Sequence, residues 1–146
     1  MKKSRGFTLI ETIIYIALFS LLIGTAFITA YQIIDGSSRL NRKNITQEEG
    51  NFVLRKINYA LTGISSFTNT PNTLHTNKYN GNQIDIKLAP TKIKMTESSG
   101  PSDFITTDNV SVSSLQFTGI AGTPAGITAT VTIDGVNFSI TKYLRK

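Results

Sequence analysis

At 146 residues the chain has room for one globular domain, and with no cysteine it must hold that domain without disulfides. Fifteen bases stand against nine acids, but Lys2, Lys3 and Arg5 fall in the first five residues, and without them twelve bases face nine acids. That placement fits a signal that keeps the N-terminus cytoplasmic and argues against a nucleic-acid footprint spread over a domain.

Residues 7–34 form an apolar run whose only formal charge is Glu11. As a helix rising about 1.5 Å per residue it would be roughly 42 Å long, more than the hydrocarbon core of about 30 Å requires. A cleaved secretory signal fits poorly: its core is shorter and its cut site needs small residues, whereas Ile28-Thr29-Ala30 presents a large Ile28. A plain signal anchor leaves Glu11 unexplained, because an acid inside an apolar span costs about 2.5–3.5 kcal/mol even on insertion scales. The acid therefore implies a partner. Thr8, Thr12, Ser20, Gly24, Thr25 and Thr29 punctuate the run. Small residues let helices approach closely, and hydroxyls can bond back to the helix's own carbonyls.

The hexapeptide Gly6-Phe7-Thr8-Leu9-Ile10-Glu11, between the basic leader and the long apolar run, resembles the leader junction of type IV prepilins and pseudopilins. The likeness covers residues 1–61 at motif level and is architectural beyond them. It implies that a prepilin peptidase cuts between Gly6 and Phe7, that Phe7 is then N-methylated, and that Glu11 pairs with a neighbouring subunit's N-terminal amine. It further implies partners: other pilin or pseudopilin subunits in a helical filament, an inner-membrane assembly platform, and the lipid bilayer before assembly. Major pilins that close a C-terminal loop with a disulfide are not matched, since the chain lacks cysteine.

Asp35-Gly36-Ser37-Ser38 alone would stop a helix. Helical composition then resumes: Val53, Ile57, Leu61 and Ile64 recur at i, i+4, i+8 and i+11, with Ala60 alongside and Arg55, Lys56 and Asn58 facing away. The expectation is one long helix, continuous or gently kinked, ending near Gly63, with Gly24, Gly36 and Gly50 as soft spots. The basic cluster Arg39, Arg42 and Lys43 is either a solvated face, a headgroup contact, or a partner for Glu48 or Glu49 of a neighbour.

Near the C-terminus Ile127, Ala129, Val131 and Ile133 alternate with threonines, and Val136, Phe138 and Ile140 alternate with Asn137, Ser139 and Thr141. Asp134-Gly135 between them predicts a two-residue hairpin pairing Ile133 with Val136, Val131 with Phe138 and Ala129 with Ile140. Ile84, Ile86 and Leu88, then Ile93 and Met95, predict a second hairpin turning at Ala89-Pro90-Thr91. Val110 and Val112 are out of phase with Leu115 and Phe117, which predicts a bulge near Ser113-Ser114. Residues 67–82 and 97–109, rich in Asn, Thr, Ser, Gly and Pro, read as loops.

The expected fold is thus α+β and pilin-like: a long N-terminal helix, membrane-spanning in its first half and amphipathic in its second, on an antiparallel sheet of about four or five strands. Its expected parts are a cleaved leader (1–6), a membrane or filament-core helix (7–34), an amphipathic continuation (35–65) and a β-rich domain (66–146). Nothing points to a catalyst, cofactor or metal: His75 is the lone histidine, in a stretch read as loop, and no serine sits in Gly-x-Ser-x-Gly. Glu97, Asp103 and Asp108 could ligate calcium from one loop, but they match no EF-hand spacing. Lys87, Lys92 and Lys94 could touch DNA, but the favoured reading is edge-strand lysines that guard against sheet-to-sheet pairing. Two function classes stand: a filament subunit, anchored in the inner membrane and then carried to a cell-surface pilus or pseudopilus; or a non-polymerising, membrane-anchored extracytoplasmic binding module.

Overall fold

A computed structural model describes residues 8–98 and 100–144. The chain divides into two compact units, Met1–Arg42 and Lys43–Lys146. One helix, α1 (Leu9–Ala60), begins in the first and ends in the second.

In the first unit α1 carries the apolar run and stays helical through Gly24 and Gly36. The sequence stop at residues 35–38 is overruled locally. Ser38 Oγ donates to the Ile34 carbonyl at 3.1 Å, and Arg39 pairs with Asp35 at 3.0 Å one turn away. Such i,i+4 pairs add a few tenths of a kcal/mol to a helix whose glycine costs about 1 kcal/mol.

In the second unit α1 buries Thr46, Gly50, Val53, Ile57 and Ala60, spaced four and three residues apart. This differs from the expected stripe at its far end. The helix stops at Ala60, Leu61 is buried in the turn that follows, and Ile64 already opens the first strand. Gly63 ends the helix as expected, with φ +67° in the left-handed region that glycine enters freely. No base stands in the last turn of α1 itself. Lys142 supplies one, its Nζ donating to Asn58 Oδ1 at 2.7 Å and Thr62 Oγ1 at 2.8 Å beside the helix's negative end.

Among the described residues eight strands follow, in two antiparallel sheets rather than one sheet of four or five. The larger runs β1 (Ile64–Thr70), β2 (Thr73–Lys78), β3 (Gln83–Ala89), β4 (Lys92–Glu97) and β5 (Ser102–Phe104) in sequence order. The smaller is β6 (Val112–Ile120), β7 (Gly126–Ile133) and β8 (Val136–Tyr143). The Asp-Gly hairpin has the expected register, Ile133 opposite Val136, Val131 opposite Phe138 and Ala129 opposite Ile140. Asp134 (φ 49°) and Gly135 (φ 80°) both take the positive φ that a tight two-residue hairpin turn needs. The β3–β4 hairpin turns at Pro90-Thr91, with Ala89 opposite Lys92, and the β6 register shifts between Val112 and Ser114.

The stretches read as loops are partly strands. Residues 67–82 hold most of β1 and all of β2, and residues 97–109 hold β5. Their Thr side chains suit strands with one watered face, while Leu74 and the buried Thr76 supply the inner face. Thr76 is satisfied by donating to the Ile84 carbonyl, and Thr106 accepts from the Ile93 N–H at 3.0 Å. Val53, Ile57, Ile84, Ile86, Leu115, Ile127 and Val131, fully buried, join one core between helix and sheets. Between the sheets, the Phe117 N–H donates to the Pro71 carbonyl and Asn69 Nδ2 to the Phe117 carbonyl.

Gly50 is no soft spot. A Cβ there would lie 2.3–2.5 Å from the tip of the Phe138 ring, so the glycine is a seat for that ring on α1. A second tie between helix and hairpin is Thr46 Oγ1, which donates to Asp134 Oδ2 at 2.9 Å, while Asp134 Oδ1 accepts from the Ser111 N–H.

Candidate functional site

The candidate site is the start of α1. Gly6 and Phe7, expected to flank the cleavage point, lie outside the described residues, as do the leader bases Lys2, Lys3 and Arg5. Glu11 is placed. It is the third helical residue, and Thr8 stands at the N-cap position. The Glu11 N–H donates to Thr8 Oγ1 at 3.3 Å, and the Thr8 N–H and hydroxyl both reach Glu11 Oε2 at 3.4 Å. This reciprocal arrangement is a capping box, here with long bonds, and it satisfies two of the orphan N–H groups of the first turn. The acid also faces the positive end of the helix dipole. A charge argument alone overlooks this role; the Thr-x-x-Glu spacing in Thr8-Leu9-Ile10-Glu11 is the signal that reveals it.

Beyond the box, the large apolar side chains of the run are exposed, from Leu9 (81 %) to Ile34 (66 %). Its most apolar stretch has mean hydropathy 2.3 and no buried residue, and is long enough to cross a membrane. Among the described residues of this unit nothing covers it. The hydroxyls are already committed: Thr12 donates to Thr8 O, Ser20 to Ile16 O, Thr25 to Leu22 O and Thr29 to Thr25 O, at 2.8–3.3 Å. Each of these four hydroxyls is satisfied inside the helix, as an apolar medium demands.

The other residues singled out in sequence do not converge. His75 is on β2, not in a loop, and its Nδ1 contacts Asp85 Oδ1 on the facing strand. Glu97 accepts from the Tyr59 hydroxyl at 2.9 Å, and Asp108 pairs with Lys92. That bond to Glu97 holds the Tyr59 phenol above its usual pKa, with partial burial and the carboxylate's charge adding to it. Lys78 Nζ sits 3.6 Å from the centroid of the same ring. Lys87, Lys92 and Lys94 lie on β3 and β4, which are interior strands, so the edge-guard reading is wrong. Lys87 opposes Lys94, and the ammonium groups of Lys92 and Lys94 are each 5.1 Å from the Phe104 ring centroid. Among the described residues no group of three His, Cys, Asp or Glu could hold a metal.

A capped apolar helix with the Thr and Ser hydroxyls of its apolar run internally bonded, near an N-terminus that carries three bases, supports a membrane-anchored precursor. The chain matches the prokaryotic N-terminal methylation motif over residues 1–27, the class III signal peptide of type IV pilins and pseudopilins. With a long helix on antiparallel sheets, the fold is α+β and consistent with a pilin-like form. Among curated proteins and solved structures, none matches the chain.

Proposed function

We propose that the chain is a structural, non-catalytic subunit of a type IV pilus or related secretion or competence filament. A prepilin peptidase cuts after Gly6, Phe7 is methylated, and the subunit passes from the inner membrane into the filament through α1. The observation that carries this reading is the methylation motif at the head of a helix whose apolar surface has no cover among the described residues of its own unit. Lipid covers that surface first; neighbouring helices cover it after assembly.

Glu11 sets the condition for transfer. Near the cytoplasmic interface, water and headgroups solvate it; in a filament core an unpaired carboxylate is heavily penalised, and a neighbour's N-terminal amine relieves that penalty. Its bonds to Thr8 are long and leave carboxylate lone pairs for that amine.

Intact-mass analysis of the native protein tests the processing step, with a mature N-terminus at methylated Phe7 expected. Glu11→Ala should keep cleavage and insertion but lower incorporation into sheared filaments, and normal incorporation would refute the pairing. The capping box favours a second reading, because it gives the acid a use inside its own chain. On that reading the protein is a non-polymerising, membrane-anchored binding module. An intact leader with no polymer would establish it.

A further inference from the structure

A second contact between copies rests on this filament reading and comes from the middle of α1. Lys43 and Glu48 are exposed, and among the described residues neither joins an ion pair. Five residues apart at about 100° per residue, they point roughly 140° apart around the helix and cannot meet each other. Glu48 and Glu49 open onto a groove of about 580 Å³, walled by Phe52 and Ile105 and by Thr107, whose hydroxyl donates to Glu49 Oε1 at 2.7 Å. Arg55, also on the groove, is placed over the Phe52 ring, 5.8 Å from its centroid, more than a turn beyond the acids. One copy therefore shows a cation on one side of the helix and an acidic groove on the other.

The axial spacing points the same way. Lys43 precedes Glu48 and Glu49 by five and six residues, about 7.5–9 Å of rise. Phe7, whose amine is the cation on the filament reading, precedes Glu11 by four residues in the sequence, so in both pairs the cation comes first. A parallel copy displaced outward by the rise from Lys43 to these acids offers its base to the acids of its neighbour. The two patches differ, so the contact is head-to-tail and propagates into an open polymer instead of closing as a dimer.

We propose that Lys43 of one copy of this chain docks in the Glu48/Glu49 groove of the next copy, as a second register point alongside Glu11. The chain has no cysteine, so Lys43→Cys with Glu48→Cys introduces the only two thiols. Five residues apart on one helix, their Cα atoms are more than about 7 Å apart and cannot bridge within a chain. Oxidation of filaments sheared from cells producing this full-length variant should give a ladder of multimers. A Lys43→Cys, Asn58→Cys control should give at least tenfold less multimer. Dimers alone, or monomers from filaments that form normally, would overturn the proposal. Lys43→Glu should cut filament yield about tenfold and Lys43→Glu with Glu48→Lys and Glu49→Lys should restore it; failure of that rescue also overturns it. If the unmodified chain is never found in filaments, the filament reading itself falls.

Discussion

Gly50→Ala is the substitution for which helix propensity and packing give opposite signs. In an isolated helix, alanine is worth about 0.8–1.0 kcal/mol over glycine. Here the new methyl would meet Cζ, Cε1 and Cε2 of Phe138 at 2.3, 2.4 and 2.5 Å, and the ring is only 8 % exposed, so it has little room to swing clear. Overpacking of this kind costs about 1–3 kcal/mol, which leaves a net loss of up to about 2 kcal/mol. For a domain near 100 residues, each kcal/mol moves Tm by roughly 4–8 °C. Phe138→Leu removes the ring tip, and in that background Gly50→Ala should instead stabilise by about 1 kcal/mol. Thermal unfolding of the full chain in micelles, followed by near-ultraviolet circular dichroism of the tyrosines, measures all four corners of the cycle. The coupling should fall at about 1–3 kcal/mol. If Gly50→Ala has the same sign and size in both backgrounds, the ring does not rest on the glycine and the reasoning fails.

Two further outcomes follow from α1. At Gly63 a Cβ would meet nothing within 4 Å, so Gly63→Ala should lose about 1–2 kcal/mol through its left-handed backbone alone, and Gly63→Asn should recover much of it in the same unfolding assay. Tyr59 should ionise above pH 10 in the folded chain, read as the ultraviolet difference from Tyr59→Phe, and Glu97→Ala should bring that titration down towards 10. Because the folded pKa is raised, its contribution to stability is present in full below pH 10 and is lost as pH rises through the folded value.

What could be read in advance depended on how local the determinants are. Asp134-Gly135 sits between two clean alternations, so turn chemistry and period-two burial agree on one register. The core residues Val53, Ile57, Leu61 and Ile64 were legible as apolar positions, but not where helix gives way to strand, because Ile64 suits either. β1 and β2 were hidden because Thr, Ser and Asn are common to loops and to half-watered strands, and only pairing with β3 separates the two. The division into two sheets, the seat at Gly50 and the contacts of Lys92 and Lys94 with Phe104 all depend on residues distant in sequence or in other strands. Of the candidate site, Glu11 was legible as an acid in the wrong medium, while its bond to Thr8 needed a different motif to be recognised.

The self-bonded hydroxyls of Thr12, Ser20, Thr25 and Thr29 make these four groups of α1 indifferent to their surroundings. On the filament reading, moving them from fatty acyl chains to a bed of other helices breaks none of these bonds. Hydroxyls spent in this way give a neighbouring helix no hydrogen bond by which to set its position. On the same reading that task passes to side-chain packing and to the ionised groups at the margins of the stretch.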